Sequence, residues 1–142
     1  MLNPTHCRGD FCYTGPMKTS AEAMRQILTH YFEAWQQQDS NKLVSLFNKD
    51  GIYRVKPFDL EEYTGTDSIR EYWQTHPVAM QTNPQPKLLN SAFGEDICFA
   101  EWENTFTNQA GISKTTRGML LLEFQDGLIH ELREHYLSTE NV

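Results

Sequence analysis

The sequence predicts an α+β domain in which a curved antiparallel sheet wraps over three helices. Helical spacing of apolar residues dominates from Thr19 to His76, interrupted by one short strand. Alternation dominates from Lys87 to Leu137, and short turn sequences separate its runs. Helices first and a meander last is the layout of an α+β fold rather than of a parallel α/β one. A length of 142 residues suits one domain.

Residues 1–16 carry Pro4, Gly9, Gly15 and Pro16 without a hydrophobic period, and read as a disordered leader before a domain over 17–142. Thr19-Ser20-Ala21-Glu22 is a capping box with Thr19 as the cap. Met24, Ile27, Leu28, Tyr31, Phe32 and Trp35 follow at helical spacing, which predicts a long amphipathic helix to about Gln38. Asp39 or Ser40 caps a short second helix that buries Leu43, Val44, Leu46 and Phe47, and Asp50-Gly51 ends it. Ile52–Lys56 reads as a strand closed by Pro57. Gly65-Thr66-Asp67 opens a third helix with Ile69, Tyr72, Trp73 and His76 on one face, and Pro77 stops it. Beyond a linker over Thr82–Pro86, strands are expected at Lys87–Phe93, Ile97–Thr107, Lys114–Gln125 and Leu128–Leu137.

The composition excludes several classes of function. Twelve Lys and Arg against nineteen Asp and Glu give a net charge of −7 with no basic cluster, so no nucleic-acid partner is expected. The longest aliphatic run, Met119–Leu122, falls far short of the roughly 20 residues that span a bilayer. No membrane partner is therefore expected, and no secretory pattern opens the chain, which points to the cytoplasm. Cys7, Cys12 and Cys98 fit no disulfide framework, and Cys98 reads as a small core residue. His130 and His135 stand five apart in a strand and face opposite ways, so no metal is expected. With no glycine-rich phosphate loop either, no cofactor is implied.

Parity along the strands shows which face looks inward. On Ile97–Thr107 the even set is Cys98, Ala100, Trp102, Asn104 and Phe106, against Glu101, Glu103, Thr105 and Thr107. On the last strand Leu128, Leu132 and Tyr136 oppose Glu131, Arg133 and His135, which places Glu134 inside. A carboxylate there is costly unless paired, hydrated or protonated. Two registers of the last hairpin are open. A two-residue Asp126-Gly127 turn sets Arg117, Met119 and Leu121 beside Glu134, with Arg117 as a diagonal partner. A three-residue Gln125-Asp126-Gly127 turn puts Gly118 opposite Glu134 and leaves room for a ligand. The second is favoured, because it joins Leu120, Leu122 and Phe124 to Leu128 and Leu132. On the favoured reading Met119, Leu121 and Ile129 face outward, an apolar surface that predicts a homodimer.

The order and spacing of Phe32, Asp39, Leu43-x-x-Leu46-Phe47, Asp50-Gly51-x-Tyr53, Gly65-x-x-x-Ile69-x-x-Tyr72-Trp73 and Phe124-x-Asp126-Gly127-x-Ile129-x-Glu131 resembles the nuclear transport factor 2-like superfamily. Its SnoaL-like, polyketide-cyclase-like branch is the most similar, over about Thr19 to Leu137. The resemblance implies a cone-shaped α+β (cystatin-like) barrel, a pocket at the open end and often a homodimer across the sheet. Tyr31 and Asp39 match the spacing of the ketosteroid isomerases' first-helix tyrosine and following aspartate. The isomerase general-base aspartate falls near Lys56, which breaks that chemistry. Against the limonene-epoxide-hydrolase-like enzymes, the Arg-x-Asp pair falls on Trp102 and Asn104, the last-strand aspartate on Glu134, and the Tyr-x-Asn on Tyr53 and Val55. Only a tyrosine and a carboxylate survive. The SnoaL-type acid/base aspartate also matches Glu134, so cyclisation keeps the most machinery.

Two functions follow. The first is a domain that binds an apolar small molecule in a pocket lined by Trp35, Val55, Trp73, Trp102, Asn104, Gly118 and Tyr136. The alternative is a lyase, isomerase or cyclase with Glu134 as acid/base, Tyr31 or Tyr53 donating to a developing enolate, and Asn104 as orienter.

Overall fold

A computed structural model describes residues 5–8, 11–14, 18–55 and 61–140. Much of the segment read as a leader, its boundary at Met17, and Lys56 with Pro57 lie outside the described residues. Within the leader, Thr5–Arg8 (β1) and Phe11–Thr14 (β2) pair as an antiparallel ribbon, a local departure from the expected disorder. Two four-residue strands are marginal in water by themselves.

The first helix, α1, runs Ala21–Gln37. Its cap is Ser20 rather than Thr19: the Ser20 hydroxyl accepts from the Ala23 amide at 3.1 Å. The Thr19 amide is held instead by the Asp96 carboxylate at 2.6 Å, which ties the start of the helix to a distant hairpin turn. Gln38 ends α1 in the left-handed conformation, φ 54°. Asp39 caps α2, Ser40–Val44, through a 2.9 Å bond from the Lys42 amide. That helix is shorter than expected, because Phe47 already belongs to β3, Phe47–Val55. A strand not foreseen in the sequence, β4 (Glu61–Thr64), pairs with β3 and leads into α3, Thr66–Trp73. Pro77 does not stop the helical path. Gln74–Val78 widen into a π-helical turn that carries Pro77 inside it and leads on through Ala79. Such a turn changes the backbone pairing that a proline would otherwise break.

The remaining strands are β5 (Thr82–Gly94), β6 (Ile97–Thr107), β7 (Ser113–Gln125) and β8 (Leu128–Glu140). The six-stranded sheet has the order β4-β3-β8-β7-β6-β5. It is mixed rather than antiparallel throughout, because β3 runs parallel to β8. A parallel pair requires a long crossover, and helices and strands between residues 55 and 128 supply it. Sequence alternation cannot register this, since it reports faces and not strand direction.

The last hairpin follows neither expected register. Asp126 and Gly127, with φ of 53° and 81°, form a two-residue turn that closes on Gln125 and Leu128. A bulge at His130 then shifts the pairing by one, so Leu120 lies opposite Glu134 and Gly118 opposite Tyr136. The bulge also turns Ile129 inward, where it is fully buried, and removes it from the outward apolar face. Arg117 lies on that outer face and pairs with Glu103 at 2.5 Å, not with Glu134. Between helices and sheet sits one apolar core containing Met24, Leu28, Leu43, Ile69, Leu120, Leu122 and Leu132. Cys98 belongs to it, and burial pushes its thiol up to about 11.

Candidate functional site

One end of the domain is hollow. A cavity of about 430 Å³ is walled by α1, α3, the π-helical turn and the inner faces of β3, β6, β7 and β8. Its lining contains Tyr31, Trp35, Tyr53, Val55, Trp73, Trp102, Glu134 and Tyr136, eight of the ten residues expected from the sequence. The other two stand behind the wall. Gly118 offers no room to a ligand, because a Cβ there would meet the His135 carbonyl oxygen at 2.3 Å and Trp102 Cζ2 at 2.7 Å. Its missing side chain admits the Trp102 ring instead. Asn104 is buried and donates from Nδ2 to Gln81 Oε1 at 3.1 Å.

The aromatic wall is built by helical and strand periodicity together. Tyr31 and Trp35, one turn apart on α1, meet Trp73 edge-on at 5.9 and 6.0 Å. Trp35 also meets Trp102 of β6 at 4.8 Å. Tyr72 and His76 of the lining stack on each other and Tyr72 stacks on Tyr63, with ring centres 4.9 and 4.4 Å apart. The indole nitrogens of Trp73 and Trp102 are buried without a hydrogen-bond acceptor among the described residues.

Glu134 is the buried acid of this wall, only 7% exposed. Tyr53 donates its hydroxyl proton to Glu134 Oε2, and Tyr31 and Tyr53 lie hydroxyl to hydroxyl at 3.0 Å. Because the Tyr53 proton goes to the carboxylate, the Tyr31 proton goes to the Tyr53 oxygen. With Glu134 ionised, the result is a directional chain, Tyr31 to Tyr53 to Glu134, with both tyrosine protons committed. Neither tyrosine then has a proton left for an enolate, the role expected of them. Burial pushes the Glu134 carboxyl up to about 7, although the Tyr53 hydrogen bond pulls it down. Burial likewise raises Tyr31 and Tyr53 well above the usual phenol range, as does the nearby Glu134 charge, so both stay protonated. Glu134 Oε1 makes no hydrogen bond to any described residue.

Sequence reasoning missed Gln81, Tyr72 and His76 as cavity residues. Tyr72 and His76 share one helical face, but periodicity does not say whether a face meets a core or a hollow. Gln81 lies beyond Pro77, where the sequence predicts the helix to stop. Among the described residues no three His, Cys, Asp or Glu side chains converge as a metal site, and no helix is long and apolar enough to cross a membrane.

The architecture and its hollow end define a class: small α+β domains in which a curved sheet and three helices enclose an aromatic cluster. Within that class the chain belongs to the SnoaL-like domain family, whose model matches residues 28–132, in the nuclear transport factor 2-like superfamily. Solved structures agree on the fold. A hypothetical protein of Catenulispora acidiphila with a ketosteroid isomerase-like fold, in complex with trimethylamine, is 19% identical at a TM-score of 0.69, over 78% of this chain and 84% of that one. An NTF-2-like protein of unknown function from Burkholderia xenovorans is 16% identical at a TM-score of 0.65, over 81% and 83%. The epoxide hydrolase/cyclase-like enzyme SalBIII, of pyran ring formation in the polyether salinomycin, is 16% identical at 0.70, over 82% and 92%. No protein of curated function matches the sequence.

Proposed function

We propose that the domain binds an apolar, enolisable small molecule in the aromatic cavity and that Glu134 moves a proton on it. The class of reaction is isomerase, lyase or cyclase. One observation carries this reading: a carboxyl raised to about 7, hydrogen-bonded among the described residues on one oxygen only, in the wall of an aromatic hollow. Near neutral pH such a group is populated in both forms, which suits it to take and return a proton. Tyr53 stabilises the ionised form, and Tyr31 stabilises Tyr53. The polyether cyclase-like enzyme SalBIII, with the same fold, is in keeping with cyclisation as one member of this class.

The test uses 2-tetralone, a flat apolar ketone with acidic α-protons, in deuterium oxide. The native protein is expected to accelerate α-proton exchange, read by NMR, and Glu134→Gln to lose the acceleration. Binding without exchange would leave a non-catalytic ligand-binding domain, the second reading. The same proposal includes a cytoplasmic homodimer. It rests on sparse cysteine usage and on the outward exposure of Phe99, Met119 and Leu137. Light scattering that reports a monomer at micromolar concentration would remove the dimer.

A further inference from the structure

Proton abstraction next to a carbonyl leaves negative charge on oxygen, and that oxygen needs a hydrogen-bond donor. Both tyrosine protons are committed to the chain that ends on Glu134. We propose that the donor is the side-chain amide of Gln81, and that the cavity therefore selects ligands with an acceptor oxygen on an apolar frame. The inference rests on the reading of the cavity as a site for enolisable ligands.

Chemistry fixes which end of the Gln81 amide faces which way. The Trp35 indole nitrogen can only donate, so the Gln81 atom 2.9 Å from it is the carbonyl oxygen, Oε1. Asn104 lies 3.1 Å from the same oxygen and must present its own Nδ2 to it. Gln38, at the left-handed end of α1, donates to the Gln81 backbone carbonyl at 2.6 Å and to that of Val78 at 3.2 Å. Backbone and side chain are thus both held. With Oε1 occupied twice, Nε2 is turned away from Trp35 and Asn104. It donates to no described residue, and Gln81 lines the cavity. Asn104 then acts through Gln81 and is a positioning residue, which gives physical content to its expected part as an orienter. Its own Oδ1 is left buried without a partner among the described residues, a burden that a merely structural asparagine would be expected to avoid.

The experiment compares 2-tetralone with tetralin, which has nearly the same shape and no oxygen, by quenching of tryptophan fluorescence. The native protein should bind 2-tetralone about five- to tenfold more tightly, the worth of one neutral hydrogen bond. Gln81→Glu keeps an oxygen for Trp35 and Asn104 and replaces only the donor; Gln81→Met removes both. Either variant should erase the preference, with tetralin affinity in Gln81→Met unchanged within about twofold and α-proton exchange slowed about tenfold. A preference that survives in a folded variant, or that is absent from the native protein while 2-tetralone still exchanges, overturns the role of Gln81 and leaves Glu134 in place. Failure of both probes to bind overturns the site reading, and this inference with it.

Discussion

Glu131 and Glu134 stand three residues apart on one strand, yet the two faces of the sheet give them opposite chemistry. On the outer face Glu131 pairs with Arg54 at 2.6 Å and Arg133 at 3.1 Å. These belong to a ladder that reaches Glu123 through Arg133 and Glu62 through Arg54. Burial works to raise the Glu131 carboxyl, but the two guanidinium groups outweigh it and hold it below the usual carboxylate range. On the inner face Glu134 has no ion pair among the described residues, lies between Leu120 and Val55, accepts from Tyr53 and rises to about 7. A carboxyl is an ion-pair partner or a proton carrier according to the face it is on. Parity along β8 decides that, and the bulge at His130 sets the parity.

The largest expected effect comes from Glu134→Gln. Proton transfer should slow by roughly 10²–10⁴-fold, while stability at alkaline pH rises. The folded pKa lies above the ordinary 4.5, so the folded state holds its proton more tightly than the unfolded chain. The stabilisation is full below about 4.5 and is lost as pH rises through about 7, a change on the order of 3 kcal/mol. Urea unfolding from pH 5 to pH 9 should show the native curve falling relative to that of the variant; parallel curves would dissolve the contrast between the faces. Gly118→Ala should cost about 3 kcal/mol, since the added carbon meets backbone as well as the Trp102 ring. A small shift in melting temperature would mean that the sheet yields there.

Glu131→Gln tests the outer face, with the opposite sign. A lowered folded pKa contributes stability above the unfolded value that is lost as pH falls through the folded one. A loss of about 1 kcal/mol is expected at pH 7, because both arginines are about one-third exposed and solvent screens the pairs. That loss should vanish in acid, again by urea unfolding. The smallest effect is that of deleting residues 1–16, which should move the melting temperature by no more than a few degrees. A larger drop would show that the β1–β2 ribbon packs on the domain.

Most elements were legible because each rests on a local pattern. Ile97–Thr107 is a strand over the very residues expected, since Cys98, Ala100, Trp102 and Asn104 are buried and the odd set carries charge. Asp39 caps α2 for the same local reason. Errors occurred where a second interaction decided the outcome. Asp96 claims the Thr19 amide and moves the cap to Ser20. The π-helical turn absorbs Pro77. β4 has four residues, too few for alternation to register against its neighbours.

By itself, then, the sequence determined the face on which most residues of β6 and of β8 beyond its bulge lie, the aromatic composition of the interior and the oddity of Glu134 among apolar neighbours. These follow from periods of two and 3.6, which are properties of the backbone. Only the tertiary structure decided that β3 runs parallel to β8, that a bulge carries Glu134 opposite Leu120 rather than Gly118, and that Trp35 and Asn104 turn the Gln81 amide. Those outcomes depend on which groups from distant parts of the chain satisfy one another's hydrogen bonds, and a period carries no information about that.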